Sequence, residues 1–177
     1  MKLVILDRDG TINHDSDQFI KSPEEFRPLA GSLEAIARLT QADYRIVVAT
    51  NQSGIARGMF DTRTLFAIHE ALNRSLAQLG GRIDAFFFCP HKSEDRCACR
   101  KPQPGMLLEV GRRFNVGLDQ AYMVGDAQRD LDAAAAAGAM PVLVLTGKGA
   151  QTQAEDRLPP GTRVFPDLAA FAAHLAP

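Results

Sequence analysis

The chain has 177 residues, 46% of them hydrophobic and 23% charged, with a formal net charge of −1. That length suits one domain with a substantial core, and the near-neutral balance excludes a general attraction to nucleic acid or an anionic membrane surface. No apolar run approaches a membrane span, and an apolar strand-like run follows Met1-Lys2 directly, leaving no room for a signal peptide, so a cytoplasmic protein is expected.

Leu3 to Leu6 is short, apolar and partly β-branched, the pattern of a buried parallel strand. It carries Asp7 and Asp9 to the carboxyl end of the strand, the edge where open α/β sheets bind ligands. Gly10 then allows a sharp exit. His14 to Pro28 is polar and interrupted by Pro23 and Pro28, which predicts a loop or flap beside the acids. Ser32 is expected to cap a helix with Leu33, Ile36, Ala37 and Thr40 at helical spacing. Arg45 to Ala49 reads as a second buried strand ending at Thr50-Asn51-Gln52-Ser53-Gly54. Asp61 should cap a long helix with Leu65, Ile68, Leu72, Leu76 and Leu79 on its core face, stopped by Gly80-Gly81.

A third strand, Ala85 to Phe88, runs into Cys89-Pro90-His91 and a cysteine loop that ends at Arg100-Lys101-Pro102. Pro104 opens a helix bearing Leu107, Val110 and Phe114. Ala121 to Val124 is a fourth strand, ending at Gly125-Asp126. Asp130 is expected to cap an alanine-rich helix that Gly138 closes. Pro141 to Leu145 is a fifth strand, followed by a loop through Pro160, a short strand near Val164 and a helix from Asp167 to about Leu175. Strands alternate with helices throughout. This predicts an α/β fold, a Rossmann-like three-layer sandwich with a mainly parallel sheet, forming one domain over residues 1–177 without a large cap domain.

The strand ends gather Asp7/Asp9, Thr50/Asn51, Cys89/His91 and Gly125/Asp126 on one edge. Asp7 is a candidate nucleophile, Asp9 a general acid/base, and Asp126 a third oxygen ligand for Mg²⁺. Thr50 offers a hydroxyl, and Lys101 a point charge within reach of phosphate oxygens. Phosphoryl transfer demands mainly in-line positioning and charge neutralisation. A carboxylate approaches a phosphate dianion only where a metal and a cation offset the repulsion. The three cysteines, Cys89, Cys97 and Cys99, lie too close together for a secreted disulfide framework. With His91 they offer a complete tetrahedral donor set for Zn²⁺ with no open position, a structural site over residues 89–99. Idle surface thiols are the alternative.

Asp7-Arg8-Asp9-Gly10-Thr11, Thr50-Asn51, Lys101 and Gly125-Asp126-Ala127-Gln128-Arg129-Asp130 resemble, in order, the four motifs of the haloacid dehalogenase superfamily. The resemblance implies an aspartyl-phosphate on Asp7, acid/base work by Asp9, and phosphoryl oxygens held by Thr50 and Lys101. Mg²⁺ would sit between Asp7, Asp126 and the backbone carbonyl of Asp9. Asp130 would support the metal shell or Lys101, or be an ordinary helix cap.

The zinc loop together with the segment Thr50 to Gly58 resembles the heptose-bisphosphate phosphatases within that superfamily. This implies hydrolysis of the 7-phosphate of D-glycero-D-manno-heptose 1,7-bisphosphate, in the biosynthesis of nucleotide-activated heptose for lipopolysaccharide or surface glycans. The short spacing between His91 and Cys97 resembles histidinol-phosphate phosphatases, which share the loop and are the alternative. The same resemblance implies that Arg100 recognises the substrate and that Asp15, Ser16, Asp17, Gln18, Asn51, Gln52 and Ser53 line its pocket. Arg57 would meet a distal phosphate, or be a solvated arginine on a turn. The partner is then a small sugar phosphate, the anomer is left open, and a monomer suffices.

His14, His69 and His174 lack convergent partners and read as surface or helix-face residues. Gly147-Lys148-Gly149 lacks the spacing of a phosphate-binding loop and reads as a turn. Arg8 reads as a strand-end residue pointing away from the acids. Two non-enzymatic alternatives remain: a phospho-accepting signalling module, and a zinc-stabilised binding protein. Asp9 opposes the first, because a base beside Asp7 shortens the life of an acyl phosphate.

Overall fold

In the computed structural model, which describes residues 1–177, six strands form one parallel sheet. They are β1 (Lys2–Leu6), β2 (Tyr44–Asn51), β3 (Ala85–Cys89), β4 (Ala121–Gly125), β5 (Met140–Val144) and β6 (Arg163–Phe165). The helices are α1 (Ser32–Gln41), α2 (Thr62–Gln78), α3 (Gly105–Phe114), α4 (Gln128–Ala137), α5 (Gly149–Ala154) and α6 (Leu168–Leu175). The strand order is β3-β2-β1-β4-β5-β6. Progress across the sheet therefore reverses between β1 and β4, and the crevice at such a reversal is where ligands sit in this architecture. Asp7 leaves β1 and Asp126 leaves β4 at that point, and the Asp7 amide donates to Val124 O at 2.9 Å.

The sheet lies between two helical layers, as β1 illustrates. Val4 and Leu6 join the cluster built with α1, α2 and α6, while Leu3 and Ile5 join the one built with α3 and α4. A strand buried on both faces must be apolar at every position, which is why no alternation appears in residues 3–6. All six expected strands are present in the expected order, with β2 running on through Thr50 and Asn51, β3 to Cys89 and β4 to Gly125.

Four local expectations are corrected. The N-cap of α1 is Gly31, in a left-handed conformation, and Ser32 is the first helical residue. The Ser32 hydroxyl is buried and donates to Ile12 O at 2.7 Å, so tertiary packing has taken the group that would have capped. Asp61 does cap α2, accepting from the Thr64 amide at 2.8 Å, but Leu79 lies beyond the last turn and is 40% exposed rather than core. Asp130 is not the N-cap of α4. That position belongs to Ala127, whose amide donates back to Asp130 Oδ2 at 3.1 Å from the first turn. The segment after β5 is not all loop, since it contains α5.

Ile5 is fully buried in the layer facing α3 and α4. Ile5→Ala should lower the unfolding free energy by about 2–5 kcal/mol in a urea titration. A loss below about 1 kcal/mol would contradict a tightly filled two-sided sheet.

Candidate active site

The strand ends converge on a pocket of about 200 Å³. At its base Asp7 is buried, and its Oδ1 accepts the Arg8 amide at 2.7 Å. Lys101, which is also buried, places its Nζ 3.0 Å from Asp7 Oδ1 and 2.7 Å from Asp130 Oδ1. The ammonium also donates to Ala49 O at 2.8 Å. Burial alone would lower the Lys101 pKa, but the Asp130 and Asp7 carboxylates outweigh it and hold the group charged. Asp130 thus reaches Lys101 with one oxygen and accepts the Ala127 amide with the other, and it also stands in the acid cluster with Asp7 and Asp126. Asn51 fixes the lysine from the main-chain side. Its Nδ2 donates to Lys101 O at 2.9 Å and its Oδ1 accepts the Lys101 amide at 3.1 Å.

Asp9 is turned away from this cluster. Its Oδ1 accepts from Arg8 Nε at 3.0 Å, Arg8 Nη2 at 2.8 Å and Asn13 Nδ2 at 2.9 Å, and its Oδ2 accepts from Gln52 Nε2 at 3.0 Å. Burial pushes the Asp9 pKa up, but the Arg8 guanidinium and the amides of Asn13 and Gln52 more than offset this and hold the carboxyl below its usual range. The reading of Arg8 as pointing away is overturned: its side chain is fully buried and grips Asp9. Asn13 was missed as well. Its only sequence signal is its place in the turn after the acidic pair. Gln52 also donates to Thr50 Oγ1 at 3.0 Å, which leaves the buried Thr50 hydroxyl proton free to point at a ligand.

Asp7, Asp126 and Asp130 bring carboxylate oxygens within 4.8 Å of one another. Asp126 Oδ1 is buried without a partner. A Cβ on Gly10 would lie 2.1 Å from Asp126 Oδ2, so only glycine lets the chain pass this close to the carboxylate. Burial, with Asp130 adding and Lys101 and Arg129 opposing, pushes Asp7 up to about 7. Burial and Asp130 push Asp126 up to about 6. An orphaned acceptor among crowded buried acids suits a hard divalent cation, and these residues fit Mg²⁺. Asp9 could join such a site only through its main chain, because its carboxylate is committed elsewhere.

Cys89, His91, Cys97 and Cys99 form a second ligand set. The Sγ–Sγ separations are 3.6, 3.3 and 3.5 Å, and His91 Nδ1 lies 3.5 Å from Cys89 Sγ and 3.3 Å from Cys99 Sγ. The sulfurs of a tetrahedral zinc site stand about 3.8 Å apart, given bonds of about 2.3 Å, so the four donors already outline that polyhedron. The cluster could hold a metal ion, and it precedes Arg100-Lys101 directly.

Asp7, Asp9, Asp15, Ser16, Asp17, Asn51, Gln52, Ser53 and Arg100 all line the pocket, with Arg129 and Lys148 beside them. The last two were not foreseen, although Lys148 follows β5 on the same sheet edge. Gln18 faces a neighbouring surface depression instead of the pocket, and Arg57 is exposed and does not line it, in keeping with the alternative of a solvated arginine on a turn. Both sit in turns whose direction no local pattern specifies. His14 is exposed, and His174 lies near Arg163 on the surface. His69 is buried against Phe86, with ring centroids 4.1 Å apart.

Residues 98–171 match the HAD-hydrolase-like family model. The chain is 61% identical to the D-glycero-beta-D-manno-heptose-1,7-bisphosphate 7-phosphatase of Bordetella bronchiseptica, over 99% of this chain and 98% of that protein. It is 50% identical to the enzyme of the same name from Pseudomonas putida, over 99% of each. Among solved structures, it matches the D,D-heptose 1,7-bisphosphate phosphatase of B. bronchiseptica, complexed with magnesium and phosphate. The TM-score is 0.97 at 60% identity, covering 99% of this chain and 98% of that one. It also matches a HAD-like protein of Mesorhizobium loti with a TM-score of 0.82 at 32% identity, covering 100% of this chain and 88% of that one.

The raised acids give a signed pH dependence. Folded Asp7 and Asp126 hold protons up to about 7 and about 6, whereas their ordinary value is 3.8. The stability they contribute is present at low pH and lost as pH rises through those values. Burial and Arg8 hold His69 at about 3 against an ordinary 6.5, which works in the opposite sense below 6.5. The cation-induced shift isolates the acids, since protons compete with metal for the same oxygens. Added MgCl₂ should therefore raise Tm more at pH 8 than at pH 5, and an equal rise at both would contradict this assignment.

Proposed function

The chain belongs to the haloacid dehalogenase-like hydrolases, in the family of the D-glycero-beta-D-manno-heptose-1,7-bisphosphate 7-phosphatases, and on that premise we propose that it hydrolyses the 7-phosphate of that heptose bisphosphate in nucleotide-activated heptose biosynthesis. The observation that carries the reading is the buried contact of Lys101 Nζ with Asp7 Oδ1 at 3.0 Å. It places a permanent cation where a carboxylate must meet a phosphate dianion. The names of the relatives favour the β anomer over the α anomer. The match over nearly the whole chain favours heptose bisphosphate over histidinol phosphate.

Asp7, Asp126 and the main chain of Asp9 would hold Mg²⁺, which supplies Lewis-acid neutralisation of phosphoryl charge when bound. Lys101 and the Thr50 hydroxyl hold phosphoryl oxygens in line with Asp7. An Asp7 carboxylate oxygen then attacks phosphorus, the bond from phosphorus to the sugar oxygen breaks, and Asp9 gives the leaving oxygen its proton. Asp9 is held ionised at rest, and the arriving phosphoryl dianion raises its proton affinity, so it carries that proton only with substrate in place. In the second half-reaction Asp9 takes a proton from water, the water oxygen attacks phosphorus, and orthophosphate leaves Asp7 free. The four-ligand loop is read as a structural Zn²⁺ site that stiffens the approach to Arg100-Lys101.

Asp7→Asn should reduce kcat by at least about a thousandfold while keeping a folded circular dichroism spectrum, even though the variant loses one of the charges that partner Lys101. A kcat/KM panel over both anomers of heptose 1,7-bisphosphate and histidinol phosphate should rank the β anomer first; histidinol phosphate in first place would overturn the substrate assignment. Metal analysis of protein purified under reducing conditions should find one zinc per chain, and Cys97→Ser should lose it together with much of the activity. Zinc-free, fully active wild-type protein would refute the site.

A further inference from the structure

Three cations face the pocket, and they are not equally committed. Arg100 Nη1 donates to His91 O at 3.2 Å, which ties it to the metal loop beyond β3. Arg129, in the first turn of α4, has a buried Nε without any partner, and its nearest carboxylate is Asp7 Oδ2 at 4.0 Å. Lys148, in the turn after β5, has only Asp15 for its ammonium, at 3.4 Å, with the two side chains 49% and 29% exposed. Ion pairs at that exposure are weak and yield readily to a doubly charged anion. Arg8, by contrast, is fully buried, pairs with Asp9 and does not line the pocket, and Lys101 is held by Asp7 and Asp130 at the reacting end. The uncommitted positive charge therefore lies along the β4–β5 wall, across the sheet edge from Arg100.

The turn that presents Lys148 is built rather than incidental. The Lys148 amide donates to Asp126 Oδ2 at 2.8 Å. Gly147 has φ +54°, and a Cβ there would lie 2.2 Å from that same carboxylate oxygen. The chain is thus pinned to Asp126 at Lys148 itself, whose side chain lines the pocket together with Arg129.

We propose that Arg129 and Lys148 are the specificity-determining pair that reads the second, unreacting phosphate of the substrate, anchoring it on the β4–β5 wall while the first phosphate lies over Asp7. This rests on the heptose-bisphosphate reading. The incoming phosphate displaces Asp15 from Lys148 and gives Arg129 its missing acceptor. A site whose cations include a buried, unpartnered Arg129 Nε discriminates against the monophosphate, which leaves that group without an acceptor.

The test compares kcat/KM for heptose 1,7-bisphosphate with that for heptose 7-phosphate, in wild type, Lys148→Gln, Lys148→Arg, Arg129→Gln and Arg100→Gln. Lys148→Gln and Arg129→Gln should each cut the bisphosphate preference about ten- to a hundredfold, mainly through KM, and Lys148→Arg should restore most of it. Lys148 is half-exposed, so its variants should fold even where Arg129→Gln does not. A preference retained by both Lys148 variants, or one that collapses only in Arg100→Gln, would overturn the proposal. A wild type indifferent between the two substrates would instead sink the bisphosphate reading itself.

Discussion

A protonated lysine buried between two carboxylates governs the architecture of this site. Lys101 has no solvent to stabilise its charge, so Asp7, Asp130 and the Ala49 carbonyl must all be in place for it to be tolerated. Those three partners come from the end of β1, from α4 and from β2, and the lysine arrives from the cysteine loop beyond β3. One ammonium thus fastens four parts of the sheet edge together. The clamp of Asn51 on the Lys101 main chain and the Cys/His cluster a few residues upstream both limit where that ammonium can go. Breaking any of them leaves a buried charge short of a partner.

Asp7 and Asp9 are separated by one residue, yet their surroundings push them in opposite directions. Burial and the Asp130 charge raise Asp7, whereas Arg8, Asn13 and Gln52 lower Asp9. Paired carboxyl groups with divergent proton affinities suit divided labour, one attacking and one exchanging protons. Arg8, the residue between them, does much of the separating. Its amide bonds Asp7 and its guanidinium bonds Asp9.

The pocket is polar, and its walls come from different strand ends. Asn51, Gln52, Ser53 and Arg100 stand on the β2–β3 side, Arg129 and Lys148 on the β4–β5 side, and Asp15 to Asp17 close over from the loop after β1. Such a pocket suits a small, multiply anionic, hydroxyl-rich molecule rather than an apolar one. The ion pair between Lys148 and Asp15 joins that loop to the far wall, so an anion competing for the lysine also acts on the loop.

Much of this was legible in the chain itself. Apolar runs of strand length alternating with amphipathic helices dictate a parallel sheet, and parallel strands place every strand-end motif on one edge. Asp7, Asp9, Thr50, Lys101, Asp126 and the four-residue Cys/His cluster could therefore be assembled from local pattern alone. What local pattern could not supply was direction. Ser32 bonds Ile12 instead of capping its helix, Arg8 turns inward onto Asp9, Asp130 reaches Lys101, and Arg57 and Gln18 turn away from the pocket. Arg129 and Lys148 join the site only because β4 and β5 lie beside β1 in the sheet. The sequence by itself determined which chemistry arrives at the sheet edge, because strand periodicity is a local property. Only the tertiary structure decided which charges face one another there, because a buried charge takes its partner from whatever element packs nearest, at any distance along the chain.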